Sequence, residues 1–290
     1  MPRTTKHRSR TTVRQPGQHL RDESEAIFAW WSFLIGFTGA MVWASLWGWG
    51  KIVLGYSFGL RDLMWMTGGS LCILLYGIFF GKASFRSLRN ILIGMEGEIT
   101  VGAMLEDLRK HDYIIMHDIP IVSSTGITSK GISGLMERSS VVANIDHIAI
   151  GPAGVFAFET KMRSKPKDKA MPAKITADAN GRLLVAGFPQ EPDPRSQAKQ
   201  IAKELGRIIK HRTDMHLEPR PVVVFPDWWV EETINPKGAN EGAWVLNPSR
   251  VFAWITTETR IAANRDTALD PSEIKRIAAA LTDHIHANSN

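Results

Sequence analysis

Asn144-Ile145-Asp146-His147-Ile148-Ala149-Ile150-Gly151-Pro152-Ala153-Gly154-Val155-Phe156-Ala157-Phe158-Glu159-Thr160-Lys161 reads as two apolar strands joined by a Gly-Pro-Ala-Gly turn. Three charged residues, Asp146, Glu159 and Lys161, sit inside these otherwise apolar patterns. Charged side chains are rarely buried unless they are paired or hold a metal. Strand alternation puts Asp146 on the face of Ile148 and Ile150, and puts Glu159 and Lys161 on one face together. The spacing Asp–(x)12–Glu-x-Lys across a hairpin brings all three groups to one point.

The neighbouring segments supply the rest of an α/β order. Met95 to Arg109 has a helical stripe of Val101, Leu105 and Leu108, with Glu98 on that stripe and Glu96 off it. Tyr113 to Ile121 is a strand, and Val122 to Arg138, rich in Gly, Ser and Thr, is a loop. Pro194 to Arg212 is a helix with Asp193 as its N-cap and Pro194 at its first position. On it, Gln197 lies near the stripe of Ile201, Leu205 and Ile208. Pro221 to Phe225 is a wholly apolar central strand and Trp244 to Leu246 another, with helices over 249–257 and 271–286. The expected fold is a mixed sheet flanked by helices over residues 90–290.

Ahead of this domain, residues 26–81 read as a transmembrane helix hairpin with spans at 26–50 and 63–81. The first run has 25 residues without a charge and five tryptophans; the second has 19. At ~1.5 Å per residue the first exceeds the ~30 Å hydrocarbon core. A signal peptide fits worse, since its apolar region is only ~7–15 residues long. A pair of buried soluble helices is the plainer alternative. Residues 1–25 form a basic tail: Arg3, Lys6, Arg8, Arg10, Arg14 and Arg21 alone match the formal charge of +6. Lys82, Arg86 and Arg89 follow the second span. The positive-inside rule then puts both termini in the cytoplasm of a multi-pass protein, with a bacterial inner membrane as the expected location.

Cysteine usage excludes other chemistry. Cys72 is the only cysteine, so no intrachain disulfide and no cysteine-based zinc site can form. Two carboxylates and a lysine instead suit a hard divalent cation, Mg²⁺ or Mn²⁺. Such an ion lowers the pKa of water and stabilises charge on a phosphoryl oxygen.

Several ordered stretches resemble one family. They are Gly94-Met95-Glu96-Gly97-Glu98, Asp118-Ile119-Pro120-Ile121, Ile145-Asp146-His147-Ile148, Gly151-Pro152-Ala153-Gly154-Val155-Phe156, Glu159-Thr160-Lys161 and Asp193-Pro194-Arg195-Ser196-Gln197. With Pro221 to Phe225 they cover 94–225 and resemble a nuclease-related (NERD) domain of the PD-(D/E)XK nuclease-like superfamily. The resemblance implies a restriction-endonuclease-like fold, with Asp146, Glu159 and Glu98 as metal ligands. It also implies Lys161 as the catalytic lysine and Gln197 as a polar group facing the site. The segment after Lys161 departs from the family pattern, being longer and more basic.

The expected function is therefore a membrane-anchored nuclease hydrolysing phosphodiester bonds, with DNA as substrate and metal-activated water as nucleophile. The competing reading is a non-catalytic module, binding nucleic acid or protein, on a membrane scaffold. Arg163, Lys165, Lys167 and Lys169 follow the site and either track a phosphate backbone or form a solvated loop. Arg195, Lys199, Lys203 and Arg207 form a stripe on the long helix, where surface charge ordinarily goes. Plainer readings of the centre are a buried Asp146–Lys161 pair, a locally paired Glu98 and a Gln197 bonded to backbone. Oligomeric state stays open.

Overall fold

A computed structural model of the chain describes residues 14–55, 59–122, 142–166, 168, 171–190, 192–231, 234–235 and 242–288. The chain divides into two compact units, His19–Met95 on the one hand and Met1–Gln18 with Glu96–Asn290 on the other.

The first unit is a pair of helices. Helix α1 spans Gln18–Val53, and α2 spans Leu60–Glu106. The expected helix from Met95 is thus the end of α2, continuous with the apolar run before it. Ser45 and Ser70 hydroxyls hydrogen-bond between the two helices at 3.2 Å. Gly69 lies against Met41, and Gly77 against Leu34. Around this contact Trp30, Phe33, Ile35, Trp43, Trp47 and Trp65 remain exposed. Among the described residues only α1 is long and apolar enough to cross a membrane; the apolar stretch of α2, Leu63–Gly77, is shorter. A pair of helices is present, but a second span is not shown.

The second unit is built on a five-stranded sheet. Its strands are β1 (Ile114–Val122), β2 (Val142–Gly151), β3 (Gly154–Thr160), β7 (Arg220–Val224) and β9 (Trp244–Leu246), in the order β1-β2-β3-β7-β9. The first three pair antiparallel, whereas β3–β7 and β7–β9 are parallel. This is the mixed sheet expected from the alternation. Its two faces carry separate cores. One packs Val101, Leu105 and Leu108 of α2 and Val251 and Ile255 of α4 (Pro248–Asn264) on Phe156, Phe158, Val222 and Val224. The other packs Ile201, Leu205 and Ile209 of α3 (Pro194–Thr213) and Ile277 and Leu281 of α5 (Pro271–Asn288) on Ile148, Ile150, Val155 and Ala157. Helix α3 starts as the sequence implies, with Asp193 accepting a hydrogen bond from the Arg195 N–H at 2.9 Å and Pro194 following the cap.

One layer was not anticipated. Residues 174–189 form β4 (Lys174–Ala177), β5 (Leu183–Val185) and β6 (Phe188–Pro189), and β8 (Trp229–Val230) completes a second sheet ordered β6-β5-β4-β8. Ile175, Leu183 and Val185 close over Val223, Phe225 and Trp228. These strands are only two to four residues long, too short to show a period in the sequence.

The β2–β3 turn has a steric requirement. Gly154 has φ +109°, a backbone conformation that side chains disfavour. At Gly151 an added Cβ would lie 2.3 Å from Tyr113 Cδ1, and Tyr113 is tethered by its hydroxyl to Thr259 Oγ1 at 2.8 Å. The ring cannot retreat cheaply. Gly151→Ala is expected to cost about 1–3 kcal/mol through overpacking. A thermal scan of the full chain in detergent checks this; an unchanged midpoint would show that the ring yields.

Candidate active site

The middle of β2, the end of β3, the start of α3 and the last turns of α2 meet at one place. Asp146 is buried, and its Oδ2 accepts a hydrogen bond from the Thr160 N–H at 2.6 Å. That bond ties the carboxylate of one strand to the backbone of the next. Glu159 is also buried, and its Oε1 accepts from Lys161 Nζ at 2.5 Å. The same Nζ donates to Gln197 Oε1 at 3.0 Å. Lys161 thus pairs with Glu159, which replaces the alternative of an Asp146–Lys161 pair. Gln197 lies exposed in the first turn of α3 rather than facing inward, yet it reaches the lysine.

Glu98 comes from α2 and is buried. Gly97 explains how the helix gets close enough. A Cβ there would lie 2.1 Å from Met162 Cγ and 3.4 Å from Thr160 Cγ2, so only glycine lets α2 rest against the end of β3.

The carboxylates feel each other. Burial pushes the Asp146 pKa well above its usual range, Glu159 and then Glu98 push it further, and the Thr160 N–H and Lys161 oppose the rise. Carboxylate oxygens are the hard donors that divalent ions prefer. Among the described residues, however, no group of three or more His, Cys, Asp or Glu that could hold a metal ion is present.

The basic residues after the lysine have unlike environments. Arg163 is half-buried, its Nε donating to Gln190 Oε1 at 2.9 Å, and its carbonyl accepts from Trp228 Nε1 at 3.1 Å. It joins the site to the second sheet rather than reaching outward. Lys165 is exposed. Lys167 and Lys169 lie outside the described residues, as do residues 123–138 of the expected loop.

Sequence reasoning assigned no role to the polar groups behind the site. Asp118 is fully buried in β1 with φ 51°, at the point where β1–β2 pairing skips from His117↔His147 to Ile119↔Ile145. The register is the same on both sides of this gap, so Asp118 stands opposite Asp146 as a local left-handed kink with no inserted residue. Asp118 Oδ1 accepts from Asn144 Nδ2 at 2.9 Å, and Oδ2 from Arg14 Nη1 at 3.1 Å. On the α2 side, His117 Nε2 bonds Glu106 at 2.9 Å and its Nδ1 faces His147 Nδ1 at 2.9 Å. Burial lowers the pKa of both histidines, with Glu106 opposing the effect at His117. Asp118 stands in the quoted Asp-Ile-Pro-Ile motif, but nothing in a strand pattern announces a left-handed residue.

Asp146→Asn keeps an oxygen for the Thr160 N–H while removing one of the mutually repelling charges. In chelator, the variant is expected to melt higher than the parent by roughly 2–4 °C, equivalent to about 1 kcal/mol at this size. A lower melting point would mean that the carboxylates do not strain the fold.

Residues 93–226 match the family model NERD, nuclease-related domain. No curated protein and no solved structure matches the chain. Glu98, Asp146, Glu159, Lys161 and Gln197 all lie within the matched stretch, which supports a nuclease-related domain of the NERD family over residues 93–226.

Proposed function

We propose that the protein is a membrane-anchored, divalent-metal-dependent nuclease that hydrolyses phosphodiester bonds, with DNA as its substrate. The observation that carries this reading is the cluster itself: buried Asp146, whose pKa is raised by burial and by the neighbouring carboxylates of Glu159 and Glu98, with Lys161 bonded to Glu159. Buried carboxylates set against one another are costly to a fold, and a bound cation would offset that cost.

Asp146, Glu159 and Glu98 would hold Mg²⁺ or Mn²⁺, which supplies Lewis acidity at the phosphoryl oxygen. Thr160 N–H keeps Asp146 oriented. Lys161, steadied between Glu159 and Gln197, orients the attacking water and donates a proton-bearing contact to the charge that grows on the phosphoryl group. Gln197 holds the lysine rather than touching the reacting atoms. Aiming Lys161 at a substrate would require it to leave one of its two partners, and Gln197, being neutral, is the cheaper one to release.

The anchor in this proposal is a two-helix hairpin made by α1 and the apolar part of α2, with both chain ends in the cytoplasm. Support comes from the Ser45–Ser70 bond between the helices and from the tryptophans left on the outside. The basic residues before α1 and at 82–89 set the orientation.

Full-length protein in detergent, incubated with plasmid and linear DNA, is expected to cut with Mg²⁺ or Mn²⁺ and to stop in chelator. Asp146→Ala and Lys161→Ala should each lower the rate by about 10²-fold or more, the scale of losing one electrostatic contact in the transition state. Binding of DNA without cleavage by a folded protein, unchanged in both variants, would instead establish the non-catalytic module. For the anchor, the chain should stay with membranes through an alkaline carbonate wash; release into the supernatant would refute the hairpin.

A further inference from the structure

On α3, Lys199, Lys203, Arg207 and Lys210 follow one another at helical intervals of four, four and three residues, which keeps them on one side of the helix. The buried side carries Ala198, Ile201, Leu205 and Ile209. A charged outer face is ordinary for such a helix. A second wall is not. The segment from His216 to Pro221 runs beside α3 and closes a cleft of about 580 Å³ with it. All four cations and His216 line this cleft, and Glu218 is the only acid among its lining residues.

The wall stands close because of Gly206. A Cβ at that position would lie 3.0 Å from Pro219 Cδ and 3.1 Å from the Leu217 carbonyl oxygen. Arg207 is held by Glu204, with contacts of 3.1 and 2.9 Å. The ammonium groups of Lys199, Lys203 and Lys210 have no hydrogen bond or salt bridge among the described residues, although Lys199 lies near enough to Asp193 to help lower its pKa. Three ammonium groups are therefore available along a walled channel.

Lys199, at one end of the row, lies two residues beyond Gln197, whose side chain touches Lys161, but on the other side of the helix. From Lys199 to Lys210 the cations extend over ~16 Å at the rise of an α-helix. A single phosphate would need one or two of them. A row of this length matches a polyanion with regularly repeated charge. A concave slot between a helix and a loop admits a strand, whereas a flat layer of lipid headgroups does not enter it.

We propose that this cleft holds the phosphodiester backbone of the nucleic acid whose cleavage is assigned to the Asp146–Glu159–Lys161 site. The inference rests on the hydrolytic reading of that site, and it names the surface that holds the substrate beyond the scissile bond.

Binding of labelled single-stranded and duplex DNA to the full-length protein in neutral detergent, with chelator present, tests it by anisotropy over about 50–200 mM salt. The variant Lys199→Ala/Lys203→Ala/Lys210→Ala should bind at least about 10-fold more weakly at the low end. Its dependence of log Kd on log salt should flatten by about 2–3, since each phosphate contact contributes ~0.9 on duplex and ~0.7 on single strands. The corresponding triple arginine variant should restore the slope, which a loss of folding would not allow. With metal, the alanine variant should show a raised KM for DNA and an unchanged rate on bis(p-nitrophenyl) phosphate, which is too small to reach the channel.

An unchanged slope in the alanine variant overturns the track, even if the protein cuts DNA. So does failure of the parent to bind DNA. A loss confined to phosphatidylserine vesicles, with DNA binding intact, overturns it in favour of a lipid surface. A flattened slope in a protein that cuts neither DNA nor the small diester supports the track and refutes the hydrolytic reading of the site.

Discussion

Two adjacent strands carry carboxylates that the fold has taken out of water, Asp146 within β2 and Glu159 near the end of β3. Asp146 and Glu159 would be expensive in an apolar layer without compensation. The Thr160 N–H supplies one partner and Lys161 another. Glu98, brought in by α2, adds to the repulsion instead of relieving it.

Placing those groups asks for steric concessions elsewhere. Gly97 lets α2 touch the end of β3, and Gly151 makes room for the Tyr113 ring beneath the turn. Asp118 accepts a left-handed backbone conformation opposite Asp146. Its carboxylate spans Asn144 of β2 and Arg14 of the segment before α1. A strained backbone of this kind persists only where its surroundings hold it in place. Asn144 is two residues from Asp146, so the contact ties β1 to the strand that carries the site.

The two units place their apolar side chains differently. In the unit His19–Met95, apolar aromatic side chains face outward and serines meet between the helices. In the other unit, apolar side chains go inward on both faces of the sheet, and charge collects on the outer face of α3. The overall charge of +6 misleads about the sheet and its helices, because the basic N-terminal tail accounts for it. Local arrangement, not net charge, concentrates cations on the outer face of α3.

Much of this was legible before any coordinates. Alternation in 144–161 identified the hairpin, its shared face and the three charged residues, because a period of two leaves no freedom about which side chains point together. The cap at Asp193 and the core stripe of α3 were equally local. Other features required the folded chain. The pairing of Lys161 with Glu159 and Gln197 depends on where α3 docks, and α3 is more than thirty residues away in sequence. The short strands β4 to β6 have no period to read, and the left-handed backbone at Asp118 is held by partners from other segments. The basic stripe of α3 was visible in the sequence as surface charge. Only packing of His216–Pro221 against Gly206 turns it into a channel, because a cavity belongs to the space between segments and to neither segment alone.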